Sequence, residues 1–230
     1  MSDMQMPEAN VLHSPPAYGE LTPCDAATIQ QRVRDAGVVG AGGAGFPTAV
    51  KLQAQAEIFL VNAAECEPML KVDQQLIPRQ AARLVRGVLY GMKATGAGEG
   101  IIALKAKYKE AIAALTPLLP PQIRLHILPD VYPAGDEVIT IWLATGRRVP
   151  PAALPISIGV VVNNVQTLLN VARAVEQQWP VTRRTLTVNG AVCVPNSARA
   201  TLSAMNYRRT CWYGRLSTSK SPRQIFYSAP

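Results

Sequence analysis

The sequence predicts an α/β protein: a mostly parallel sheet flanked by helices, followed by a segment that begins with a new strand. Two observations predict it. Short, continuous apolar runs of strand length alternate along the chain with segments whose apolar residues recur at helical spacing. Polar loops carrying Gly, Asn and acidic residues fall where strands lead into helices, the rim at which such sheets collect ligands.

The elements follow in order. Asp25 is placed to cap a helix over "DAATIQQRVRDAG", which closes on Gly37. The stretch "VVGAGGAGFPTAVKL" comes next, with four glycines between positions 40 and 45. Glycine this dense costs backbone entropy, so the stretch is either a close approach to a ligand or a joint. Pro47 suits the first turn of a helix over "PTAVKLQAQ", because its missing N–H would be unpaired there. "EIFLVNAAE" reads as a buried strand ending at Asn62. Residues Asp73 to Thr95 carry Leu76, Ala82, Leu84, Val85, Val88, Leu89 and Met92 at helical spacing and stop at Gly96. "GIIALK", "IRLHIL" and "IGVVVNN" read as strands; "KYKEAIAALTPLL", "DEVITIWLATG" and "VQTLLNVARAVEQQ" read as helices. "RRTLTVNGAV" alternates like a strand that begins something new. The expected organisation is a flexible lead-in over 1–24, the α/β domain over 25–181, a strand that begins something new over 182–192, and a basic irregular tail over 193–230.

Composition narrows the function classes. The chain has 230 residues, 48% of them hydrophobic and 17% charged, as expected of a globular chain. No apolar run reaches the roughly 18 residues of a membrane helix, and the acidic, proline-bearing start does not read as a secretory signal. The net charge of +8 is unevenly spread. Six basic residues and no acids lie from Cys193 onward, which leaves 17 basic against 15 acidic residues before it. A near-neutral body argues against a specific nucleic-acid-binding core. Cys24, Cys66, Cys193 and Cys211 show no C-x-x-C pair, so neither a zinc ribbon, a locally bound iron–sulfur cluster nor a disulfide framework is expected, and the default setting is cytoplasmic.

Gly40-x-Gly42-x-x-Gly45 matches a dinucleotide fingerprint by spacing, but that motif should follow a strand, and here a helix precedes it. A Rossmann-type NAD-dependent dehydrogenase is therefore the lesser reading. Glycines ahead of a helix expose backbone N–H groups suited to a phosphate, with Lys51 about one turn on and Phe46 offering a flat face to a ring. A tight turn packing helix against helix is the alternative. Asn62, Asn163 and Asn164 end strands, where amides both donate and accept; Asn164 equally suits the cap of the following helix. Glu65, Glu67, Asp136 and Glu137 are placed either to bind ribose hydroxyls or to complement helix dipoles. Cys66 between two acids is a poor nucleophile, and His13 and His126 have no Ser or Cys partner, so hydrolytic catalysis is not supported.

Together "GAGGAGFPTAVKL", "VNAAECEPMLKVDQQLI", "DVYPAGDE" and "GVVVNNVQTLLNVARA" resemble a known family. It is the flavin-binding domain shared by the NADH-oxidising flavoprotein subunit of respiratory complex I and the C subunit of Rnf-type electron-transport complexes, with particular likeness to the cobalamin reductases of propanediol-utilisation microcompartments. The resemblance spans residues 30–190 and implies a noncovalent FMN with NADH stacking over it. It implies that Gly40, Gly42, Gly43 and Lys51 hold the phosphate and that Asn62, Glu65, Tyr132, Gly135, Asn163, Asn164 and Thr167 surround the flavin. Phe46, Glu67 and Glu137 would face the nicotinamide cofactor. Ala41 and Ala64 depart from the family's arginine and acid. The implied acceptor is a cobalamin-dependent system or an iron–sulfur carrier protein. The implied location is cytoplasmic, inside a microcompartment, or peripheral on the inner face of the cytoplasmic membrane. Relatives continue into a small β-rich domain, of which residues 182–192 would be the first strand of an incomplete copy, and carry iron–sulfur clusters in a later module that residues after 192 do not match, so the tail reads as truncated or frameshifted. A non-catalytic remnant that interacts without flavin is the other expectation.

Overall fold

The computed structural model describes residues 16–65, 70–188 and 223–228, the backbone alone for 186–188 and 223–228. Four short, mostly apolar runs form strands β1 (Ile58–Asn62), β2 (Glu99–Lys105), β3 (Ile123–Leu128) and β4 (Val160–Asn164), all parallel, in the order β3-β2-β1-β4. Around them lie α1 (Ala26–Asp35), α2 (Thr48–Lys51), α3 (Val72–Thr95), α4 (Lys109–Leu115), α5 (Glu137–Thr145) and α6 (Val165–Gln177).

Alternation along each strand explains the two faces. Phe59, Val61, Ile102, Leu104 and Val161 point into a core shared with α1, α3, α4 and α6. Ile58, Leu60, Ile101, Ala103, Val160 and Val162 point the other way and meet Ile141 and Ala144 of α5. Residues one apart in a strand face opposite sides, so burial on both faces requires the continuous apolar runs seen in the sequence. Phe59 is fully buried, a contribution of about 2–3 kcal/mol. Its ring fits because residue 91 is glycine, where a Cβ would overlap it. Gly87, one turn earlier, lets α3 approach the Leu168 carbonyl of α6 closer than any side chain would permit.

Several elements differ from expectation. The helix after the glycine loop lasts four residues, not nine, because Gln30 takes the Leu52 carbonyl (3.0 Å) and the chain turns toward β1. Helix α3 kinks at Gln80 (φ −135°, ψ 28°), two residues after Pro78, whose ring and missing N–H break the ladder. Helix α4 passes into a 3-10 turn at Thr116, next to Pro117. Residues 16–24, read as part of a flexible lead-in, pack on α3: Arg86 donates to the Tyr18 carbonyl (2.6 Å), and the Thr22 N–H donates to the Tyr90 hydroxyl (2.8 Å).

Strand β5 (Arg183–Val188) pairs antiparallel with β6 (Arg223–Ser228), which lies in the stretch where periodicity defined no element. Among the described residues no helix is long and apolar enough to cross a membrane. Residues 66–69 and most of the tail, with Cys66, Glu67, Cys193 and Cys211, fall outside the described residues, as does His13.

Candidate functional site at the sheet switch point

Strand order decides where a ligand fits. From β1 the chain steps outward to β2 and β3, then crosses to β4 on the other side of β1, leaving a crevice beyond the carboxyl ends of β1 and β4. In register, Val61 pairs with Asn163 and Asn62 with Asn164, so three amides stand together at its floor.

The glycine loop forms one wall, and it is no floppy joint. Gly40 N–H donates to the Phe46 carbonyl (2.8 Å), Thr48 N–H donates to Val38 (3.0 Å), and Val39 bridges Pro47. Gly43 (φ +128°) and Gly45 (φ +65°) make the turn, at angles a side chain would strain. The tip is tied down too: Ala41 N–H donates to Thr167 Oγ1 (2.9 Å), and Arg184 donates to the Ala41 carbonyl (2.7 Å). The N–H groups of Gly42, Gly43, Ala44 and Gly45 have no hydrogen-bond acceptor among the described residues. A run of free amides held rigidly is an anion-ready concavity. Helix α2 is too short to add much dipole, so the anion preference rests on these amides and Lys51.

Lys51 reaches the crevice and donates to the Val162 carbonyl (2.6 Å), with Glu137 Oε1 at 3.9 Å. Burial lowers its pKa, and Glu137 partly restores it. Two ammonium protons remain for an anion. Asn62 donates to the Gly135 carbonyl (2.8 Å) and accepts from Ala64 N–H (3.1 Å), so the loop after β3 is drawn across the end of β2 to the end of β1. Asn164 caps α6, accepting from Gln166 N–H (2.9 Å), and donates to Asp73 Oδ2 (2.7 Å). Asp136 likewise caps α5. Glu65 caps α3, accepting from the N–H groups of Asp73 (3.0 Å) and Gln74 (3.4 Å).

Two polar groups are left over. Asn163 Nδ2 and Thr48 Oγ1 are buried without partners among the described residues, and both residues line the crevice. A buried unpaired donor costs about 1–3 kcal/mol, so a site that keeps two is built for something that satisfies them. Thr167, fully buried, has its oxygen engaged by Ala41 and its proton still to donate.

The structure thus gathers Gly40, Gly42, Phe46, Lys51, Asn62, Gly135, Glu137, Asn163, Asn164 and Thr167 around one cleft of about 280 Å³. An adjoining cleft of about 410 Å³ shares Gly42, Asn62, Gly135 and Asn164 and adds Glu65. Together they reach the size of small-molecule sites. Phe46 is half exposed over the first cleft. Gly43 shapes the loop without lining either cleft, and Tyr132, 81% exposed, lines neither. Glu67 lies outside the described residues. Sequence reading missed Thr48, Ala44 and Gly45 in the first cleft and Asp73, Gln166 and Arg184 in the second. Asp73 is fully enclosed, and burial, with Glu65 nearby, pushes its pKa up to about 7. Its place second in α3 was the available signal, since an acid there ordinarily faces solvent. The glycine loop precedes β1 instead of following a strand, so the dinucleotide-fingerprint reading lacks its strand–loop–helix frame.

Fold and cleft define a parallel α/β ligand-binding domain with an anion-ready loop at its switch point. The chain belongs to the Nuo51 FMN-binding domain family, whose model matches residues 33–173. It is 78% identical over 176 residues to the cobalamin reductase PduS of Citrobacter freundii, covering 76% of this chain and 39% of that protein. It is 40% identical over 179 residues to the C subunit of the Na(+)-translocating ferredoxin:NAD(+) oxidoreductase complex of Acetobacterium woodii, covering 75% of this chain and 40% of that one. An NAD+-reducing nickel–iron hydrogenase structure in the air-oxidised state superposes with a TM-score of 0.54 at 35% identity, over 66% of this chain and 30% of that chain. The resemblance carried by the four motifs is therefore the family found. The chain spans about two fifths of the length of these curated relatives.

Proposed function

We propose that the paired clefts hold FMN noncovalently and that the domain takes electrons from NADH and passes them to a downstream acceptor. The observation that carries this reading is the set of unsatisfied donors on one crevice: free amides at 42–45, the spare protons of Lys51 and Thr167, and the orphaned Asn163 Nδ2 and Thr48 Oγ1. A phosphate end and a polar heterocycle are the chemistry such donors satisfy, so the residues fit the group. FMN, when bound, supplies hydride acceptance from a reduced nicotinamide and release of electrons one at a time.

The chain's own residues bind and orient. In this reading the loop amides and Lys51 hold the phosphate, and Gly40, Gly42 and Gly43 let the backbone come close. Asn163 donates to the ring system. Asn62, Asn164 and Glu65, whose polar atoms are already engaged, position the floor. Phe46 would present a ring face to the nicotinamide, and Glu137, beside Lys51 in the cleft, would face the same cofactor. No side chain moves a proton in the reaction, consistent with a role for the protein in positioning and electrostatics.

The acceptor follows from the relatives. The name cobalamin reductase supports a cobalamin, and the ferredoxin:NAD(+) oxidoreductase relative supports a protein carrier. The test is anaerobic addition of NADH to the chain loaded with FMN. Bleaching of the visible flavin absorbance is expected; a flavin that stays bound and oxidised would overturn NADH as donor.

A further inference from the structure

A third groove, about 580 Å³, opens between α3, α6 and the segment leading into β5. Arg83, Arg173 and Arg183 line it, with Trp179 at its edge, and no Asp or Glu lines it. Gln80 Oε1 accepts from both Arg83 (2.7 Å) and Arg173 (3.2 Å), which fixes two guanidinium groups side by side on one neutral oxygen. Arg83 Nε is buried with no partner among the described residues. None of the three arginines has an ion pair there. Gln80 sits at the kink of α3, two residues after Pro78, and its side chain meets Arg173 of α6.

Guanidinium groups held together without a counter-charge repel one another, and burying an unpaired N–H adds a further cost. Planar forks of donors match phosphate and carboxylate oxygens. We infer that this groove is a second anion site, separate from the flavin cleft, that takes a small ligand carrying two or more phosphate or carboxylate charges. Burial first, then like-charge repulsion from Arg83 and Arg183, lowers the Arg173 pKa. The wall between the groove and the second cleft is a paired amide contact. Gln166 Nε2 donates to the Thr185 carbonyl (2.9 Å), and Thr185 N–H donates to Gln166 Oε1 (3.0 Å). Both residues line both spaces.

Trp179 supplies the readout. Inorganic pyrophosphate and, separately, citrate would be titrated into the chain at constant ionic strength while tryptophan emission is followed, with Trp179→Phe identifying the reporting ring. Saturable binding is expected. It should weaken at least tenfold in Arg83→Gln and in Arg173→Gln, each losing a charge-assisted hydrogen bond, and stay unchanged in Lys51→Ala. Response to pyrophosphate alone would assign a phosphate ligand; response to both would assign a general polyanion. A non-saturating response, or binding lost in Lys51→Ala and kept in the arginine variants, would overturn the site. Thermal melts of each variant, read alongside, separate lost binding from lost folding.

Discussion

Replacing Asp73 by Asn isolates one buried carboxyl and gives a sharp expectation. Asp73 is enclosed, with its pKa raised from 3.8 to about 7 by burial first and by Glu65 second, against a favourable hydrogen bond from Asn164. A carboxyl that holds its proton more tightly when folded favours the native state in acid. Its support is complete below the unfolded value near pH 4 and is lost as pH rises toward 7, because the folded protein must then bury a charge. At about 1.4 kcal/mol for each tenfold change in proton affinity, the full penalty above pH 7 is about 4 kcal/mol, of which about 3 kcal/mol develops between pH 5 and 8. Asn keeps an acceptor for Asn164 and removes the charge. Urea unfolding of wild type and Asp73→Asn should therefore be compared at several pH values across that range. With a urea slope of about 2 kcal/mol per molar, the wild-type midpoint should fall by about 1–2 M relative to the variant. Curves that run parallel for both proteins would refute the assignment, since the pH dependence would then belong to other groups.

Three further outcomes are expected. Lys51→Ala should weaken FMN binding about 10- to 100-fold, the worth of a charge-assisted hydrogen bond, with little change in melting temperature; fluorescence titration checks it. Asn163→Leu should stabilise the ligand-free chain by about 1–2 kcal/mol, because it removes an orphaned buried donor, yet bind FMN about tenfold more weakly; equal affinity would remove Asn163 from the site. Gly87→Ala should destabilise by about 1–3 kcal/mol despite alanine's better helix propensity, since its methyl group meets backbone of α6 instead of a movable side chain; denaturant unfolding measures it.

The order of β1 to β4 and the helices was legible because each of these strands is a short, mostly apolar run bounded by Gly, Pro or Asn, and each long helix carries a periodic apolar stripe. The rim loops were legible for the same reason, since Asn62, Asn163 and Asn164 terminate those runs. What was hidden depends on distant residues. The four-residue length of α2 is set by Gln30, 22 residues before the carbonyl it takes. Glu65 caps α3 from eight residues before Asp73, so its capping role has no local spacing to betray it. Asn164, for which both a ligand and a cap reading were open, caps α6 and also grips Asp73, 91 positions away. Strand order, and with it the switch-point crevice, comes from tertiary pairing that periodicity does not encode. The arginine groove was invisible for a related reason: Arg83, Arg173 and Arg183 are scattered in sequence and meet only in the fold.

The central claim is that the glycine-loop amides and Lys51 grip the phosphate of a flavin mononucleotide. Its most direct measurement is a pair of fluorescence-quenching titrations of the purified chain, with FMN and with riboflavin, which lacks the phosphate. The account predicts one FMN bound per chain, with riboflavin binding at least tenfold more weakly and little affected by Lys51→Ala. Equal affinity for the two flavins, or no saturable FMN binding by a folded chain, would contradict it.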